Sequence, residues 1–317
     1  MAGVVEVWAT EGVPADAEFT GVLRTPHAGR LLPVLGVVIG IGSFLAFTPL
    51  LTQLLVGAYW LVTGRSRAFA DTYRSLLAYE VPFGMVAAQL GIALLIPISA
   101  ALVLTLHHVH PSYLFSVVPG LRWRPFLLFL AVAAVTLNGV LWAQNAIVGK
   151  AMTFDPQPGF AGFLVAILLT SPLQAAAEEV FFRGYLLQAL GSWAPNRWVG
   201  ILGSAAVFAL FHGTQNGWLF ASRFAFGVLA AVLVVYVGGL EAGIAAHIVN
   251  NVSAFIYAGL STGIAALKAT TEVSIADAVG EVVMYAVFTA AALVLARGLR
   301  LQTRTSASGL GDTRAVR

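Results

Sequence analysis

Residues 175–190 read AAAEEVFFRGYLLQAL, which sets two adjacent carboxylates, Glu178 and Glu179, and one guanidinium, Arg183, in an otherwise apolar run. The run sits inside a longer apolar segment, 160–190, that exceeds the about 20 residues needed to cross a hydrocarbon core. Ionised groups lose their hydration in such surroundings and are costly to place there. A structural ion pair with Arg183 needs only one carboxylate. The second asks for a chemical role, and an ionisable cluster in a membrane helix is a functional-site hypothesis by default.

The rest of the chain has the same character. Of 317 residues, 59% are hydrophobic and 10% charged, with a mean hydropathy of +0.88; soluble domains carry about 25% charged residues. The expected fold class is therefore all-α, a polytopic membrane helix bundle of about eight spans near 31–62, 83–106, 125–148, 160–190, 198–212, 220–238, 240–260 and 281–299. Pro172 should bend the fourth span before the Glu pair, and Gly238-Gly239 should form a tight turn. Residues 1–30 carry Glu6, Glu11, Asp16 and Glu18 and read as a polar tail rather than a signal peptide. Residues 31–300 form the bundle, and 301–317, rich in Ser, Thr, Gly and Arg, read as a disordered tail. The net charge of +3 is spread over loops and tails without aromatic interleaving, so no nucleic-acid partner is expected. With no cysteine, thiol catalysis, disulfides and thiolate metal sites are excluded.

With an even number of spans the termini share a side. That side collects Arg24, Arg30, Arg122, Arg124, Arg197 and the arginines from Arg297 to Arg317; the other collects Arg65, Arg67, Arg74, Lys150, Arg223 and Lys268. The balance favours cytoplasmic termini in a bacterial plasma membrane.

Two further polar pairs follow the Glu pair at helical spacing: Phe208 with His212, and His247 with Asn251, beside Asn250. Glu179 and Arg183 are four apart in the favourable order and read equally well as a buried structural pair. Glu178 lies roughly 100° around the helix and faces a different neighbour. A lone His212 is more often a hydrogen-bonded core residue than a catalyst. Jointly, one Glu, two His and one Asn from three spans form a set able to bind and activate water, with an amide available to a developing oxyanion. They should converge on a cavity within the membrane, reached from the cytoplasmic side. There is no HExxH helix and no serine in a GxSG-like turn within a span; a GxGD string, Gly309 to Asp312, falls in the polar tail. By ligand type, Glu178, His212 and His247 could still form a zinc set.

These three elements resemble the motifs of the CPBP (ABI) family, which includes the type II CAAX prenyl proteases: EExxxR at Glu178–Arg183, FxxxH at Phe208–His212 and HxxxN at His247–Asn251, in order. The resemblance implies an eight-span membrane core, with its catalytic part here about 125–300, and a glutamate-type intramembrane endopeptidase that needs no cofactor, zinc being the alternative. It implies that Glu178 and His212 activate water, that His247 and Asn251 line the oxyanion side, and that Glu179 and Arg183 position the site. The partners so implied are membrane lipids and a protein or peptide substrate, without a prenylated CAAX sequence being carried over. Two competing readings are a non-catalytic immunity or scaffold protein of the same fold and a small-solute or proton transporter.

Overall fold

The computed structural model describes residues 12–149 and 154–306. Its helices are α1 (Leu31–Val62), α2 (Phe69–Leu77), α3 (Pro82–Ala93), α4 (Leu95–Thr105), α5 (Trp123–Ile147), α6 (Phe160–Glu178), α7 (Leu187–Trp193), α8 (Arg197–Leu210), α9 (Gly217–Val237), α10 (Glu241–Gly259), α11 (Ile264–Lys268) and α12 (Ile275–Gly298). Between α6 and α7 the chain is π-helical over Glu179–Leu186. Among the described residues there is no strand, only two isolated bridges, Glu18 with Arg304 and Ser116 with Gly239.

Helix is the outcome for apolar segments in lipid because every backbone polar group must be satisfied within the segment. Among the described residues, six helical stretches are long and apolar enough to cross a membrane: Leu31–Val62, Pro82–Thr105, Trp123–Ile147, Phe160–Trp193, Gly217–Val237 and Ile275–Gly298. The other two expected spans are present as helices of a different kind. α8 is short, with 14 residues. α10 has 19 residues, and Glu241, His247, Asn250 and Asn251 lower its hydropathy. The long span continues through Pro172 and leaves α geometry further on, at Glu179.

Side chains on the outer faces, such as Val38, Leu45 and Leu54 of α1, stand exposed, as a lipid-facing surface requires. The inner face of α1 carries Gly36 and Gly40 in a GxxxG spacing. A Cβ at Gly36 would collide with the Tyr185 hydroxyl, and one at Gly40 would lie 3.2 Å from the Tyr185 ring. These glycines let α1 approach the π-helical segment closely.

Each end of the bundle is knitted separately. At the end bearing the termini, Phe19, Val22 and Leu23 are buried in the main core, although the sequence reads as a polar tail there. Residues 302–306, expected within the disordered tail, run against the N-terminal segment: the Asp16 amide donates to the Thr305 carbonyl at 3.1 Å, and the Thr305 amide to Ala17 at 3.0 Å. The sequence-stretches before Gly12 and after Ser306, with the GxGD string, lie outside the described residues. Gly238 ends α9 at φ +75° with no room for a side chain against Gln302 and Thr303. At the opposite end, the Asp155 amide donates to the Leu260 carbonyl at 2.8 Å, and the Asn216 amide to Thr271 at 2.8 Å.

The knot at the termini end is Arg122 with Glu241. Arg122 grips the fully buried Glu241 carboxylate through Nε and Nη2, both at 2.7 Å, and its Nη1 reaches the Gln302 carbonyl at 3.2 Å. Arg122→Ala strands a buried charge and should cost about 3–5 kcal/mol, whereas Arg122→Met with Glu241→Met should recover most of the loss. Thermal unfolding in detergent checks this; equal midpoints for Arg122→Ala and wild type would show that the pair does not tie the ends together.

Candidate active site

The sequence explains how the polar groups reach one place. Glu178 ends α6 and Glu179 and Arg183 belong to the π-helical segment, whose geometry is frequent at functional sites. Phe208 lies near the end of α8 and His212 just beyond it; His247 and Asn251 share one face of α10. Glu178, His212, His247, Asn250 and Asn251 line a single cavity of about 620 Å³, walled elsewhere by aromatic rings. Glu179 and Arg183 lie behind its wall, fully buried.

The backing layer fixes the front. Arg183 Nη1 donates to Glu179 Oε1 at 3.0 Å. Its guanidinium carbon sits 4.0 Å from the Phe208 ring centre and 5.1 Å from that of Phe226, so aromatic faces stand where further acceptors would otherwise be needed. Glu179 Oε1 also meets His247 Nδ1 at 2.8 Å. A carboxylate can only accept there, so Nδ1 carries the hydrogen and the ring turns Nε2 toward the cavity. Nε2 lies 3.4 Å from Glu178 Oε2.

His212 is fixed differently. Its Nδ1 meets the Phe208 carbonyl at 2.8 Å, so Nδ1 donates and Nε2 is left as an acceptor. The imidazole packs edge-on against the Phe208 ring at 4.5 Å between centres and has accessible surface at the cavity. Phe208 thus touches Arg183 on one side and His212 on the other.

Gln174 is the residue that sequence reading missed. Its Nε2 donates to Glu178 Oε1 at 2.6 Å, and its Oε1 accepts from Asn251 Nδ2 at 2.9 Å. One amide therefore holds both the outer carboxylate and the amide of α10. Its position four residues before Glu178 was a signal, but a glutamine in an apolar helix has no unique reading until its second partner is known. Gln89, Glu281 and Tyr285 also line the cavity without having been singled out.

Among the described residues no group of three or more His, Asp, Glu or Cys side chains is arranged to hold a metal ion. Glu178, His212 and His247 share the cavity, but His247 is turned to the two glutamates on both nitrogens and His212 gives one nitrogen to a backbone carbonyl.

The cavity's open end corrects one expectation. Thr214, Thr270 and Thr271, all exposed, and Tyr79 line it, and they belong to connections at the end opposite the termini. Counted along the helices, Glu178 and His212 lie about 18 and 21 Å from the termini end, most of the way across. Cytoplasmic termini and cytoplasmic access therefore cannot both hold.

An all-helical integral membrane protein with this buried Glu–Arg–His layer behind a polar cavity defines a class, and the comparisons agree. Residues 160–253 match the model of the family described as Type II CAAX prenyl endopeptidase Rce1-like, a span that contains all three motifs. Over that segment the chain is similar to that family. It is also 34% identical over 98 residues to the uncharacterised protein YyaK of Bacillus subtilis (strain 168), covering 29% of this chain and 33% of that protein. The match thus spans about a third of the curated relative's length. No solved structure gives a significant match.

Arg183→Ala leaves Glu179 buried without its cation and should lower stability by about 3–5 kcal/mol. Gln174→Leu, losing one bond to a carboxylate beside an accessible cavity, should cost less, about 1.5–3 kcal/mol. Detergent unfolding midpoints of the two variants measure the order; Gln174→Leu unfolding earlier than Arg183→Ala would reverse the assignment of which layer supports which.

Proposed function

We propose that the chain is an intramembrane endopeptidase that hydrolyses peptide bonds with a Glu/His-activated water and needs no cofactor. The observation that carries this reading is the gathering of Glu178, His212, His247 and Asn251 on one cavity inside an apolar bundle. The Rce1-like match over the same residues supports it.

In this reading a water sits between Glu178 and His212. Its hydrogen is accepted by Glu178, and His212 Nε2 holds it in line. Attack on a peptide carbonyl places negative charge on the carbonyl oxygen. His247 Nε2, when protonated, and the Asn251 amide are the donors available to it. The Glu179 carboxylate behind His247 stabilises the imidazolium, and Arg183 balances Glu179. The proton that Glu178 takes is then available to the leaving amine, with no further group required.

The lysines and arginines support an orientation. Of those opposite the termini, Arg223 and Lys268 line the cavity instead of a free connection, which widens the imbalance in favour of cytoplasmic termini. The cavity of this protein then opens on the outer face of a bacterial plasma membrane, and the substrate is a protein or peptide segment presented there, in contact with lipid.

Glu178→Gln and His212→Ala should each reduce cleavage by about 10²- to 10⁴-fold while leaving the unfolding midpoint near wild type. Elemental analysis of the purified protein should find no stoichiometric zinc, and chelators should leave cleavage unchanged. Cleavage lost on chelation and restored by added metal would replace the water-activation step with a metal-bound one. Full cleavage by Glu178→Gln would remove the endopeptidase reading of this site.

The absence of cysteine makes orientation directly measurable. Thr270→Cys should react with a membrane-impermeant maleimide in intact cells, and Arg300→Cys only after permeabilisation. The reverse pattern would place the cavity mouth in the cytoplasm.

A further inference from the structure

The open end of the cavity carries two cations that the proposed chemistry does not use. Arg223 enters from α9 and Lys268 from the end of α11. Among the described residues neither makes an ion pair within 4.0 Å. Arg223 Nη1 donates to the neutral Gln215 Oε1 at 2.7 Å, which fixes the guanidinium without balancing its charge. Lys268 Nζ lies 5.1 Å from the Tyr79 ring centre. Glu281 of α12 faces the same cavity and interacts with Arg223 only at longer range. Lys268 stands exposed at the rim, and within the cavity Glu178 acts on it, as on Arg223, only at longer range.

We propose that Lys268 and Arg223 form a carboxylate-binding subsite at the cavity mouth, which selects substrates carrying an anionic group beyond the cleaved bond. The word substrate rests on the endopeptidase reading; the subsite itself does not. A planar guanidinium and a mobile ammonium on one rim suit the two oxygens of a carboxylate. Its arrival adds a counter-charge in contact with the two cations, on which Glu178 and Glu281 act only at longer range, and beside the half-buried Arg223 the attraction is stronger than at an open surface. The Tyr79 ring beneath Lys268 keeps the ammonium over the cavity. The carboxylate is either a chain's C-terminus or an Asp or Glu side chain; both present the same chemistry.

The test uses the full chain in detergent, as His212→Ala so that probes survive. The probes are three dansylated pentapeptides based on Ala-Val-Leu-Ala-Leu: one with a free C-terminal carboxylate, one C-terminally amidated with Asp at the fourth position, and one amidated with Asn there. Fluorescence titration should show at least one carboxylate probe binding tenfold or more tightly than the Asn-amide probe. Which of the two it is identifies the source. Lys268→Arg should keep the preference; Lys268→Met and Arg223→Gln should each reduce it, with unfolding midpoints recorded so that a misfolded variant is replaced by the other. Equal binding of all three probes, including no measurable binding, overturns the proposal, as does a preference that survives Lys268→Met with Arg223→Gln. Cleavage of the same probes by wild type is scored separately. A protein that binds selectively and cleaves nothing retains the subsite and loses the endopeptidase reading; one that cleaves all three equally does the opposite.

Discussion

The site depends on the contact between Arg183 and Glu179 in the fully buried layer behind the cavity. Neither charge is tolerable alone there. Glu179 is acceptable because Arg183 and His247 both turn to it, and Arg183 because Phe208 and Phe226 cover the faces that no acceptor reaches. His247 is oriented by the same oxygen, and Phe208 hands the constraint on to His212. Four of the polar groups are thus arranged by one buried charge pair, and only Glu178 and Asn251 need a separate tie, which Gln174 supplies.

What was legible in the sequence was what repeats at helical spacing. Glu179 with Arg183, Phe208 with His212 and His247 with Asn251 are each four apart, so a single helix places each pair on one face before any tertiary contact exists. Composition and run length carried the helical membrane fold in the same way. What was not legible is what folding alone brings together. Gln174 meets Asn251 across 77 positions, and Arg122 meets Glu241 across 119. No local pattern marks either pair. The clash between cytoplasmic termini and cytoplasmic access was hidden for a related reason. Depth along a helix was readable, but the end at which the cavity opens is decided by connections that meet only in the folded bundle, such as the Asn216 amide with Thr271.

The two ends of the bundle have different characters. The end bearing the termini is closed by Arg122 with Glu241, by Arg24 on the Gly191 and Ala194 carbonyls, and by the pairing of residues 16–18 with 304–305. The other end holds exposed threonines and, at the cavity mouth, Arg223 and Lys268, which among the described residues make no ion pair within 4.0 Å. The bundle is thus closed by charged pairs at one end and left polar and accessible at the other.

The π-helical turn from Glu179 to Leu186 gives the protein an unusual kind of constraint. A π segment is wound more loosely than the α-helix on either side of it, as though one residue had been added to a regular helix. Removing a residue there would return the stretch to regular α-helix and shift the side chains within it around the axis. Tyr185 would leave the groove that Gly36 and Gly40 open for it, and Arg183 would leave its aromatic rings. The count of residues in this short stretch is therefore under as strict a restriction as their identities, and a length change here would cost the site more than most substitutions around it.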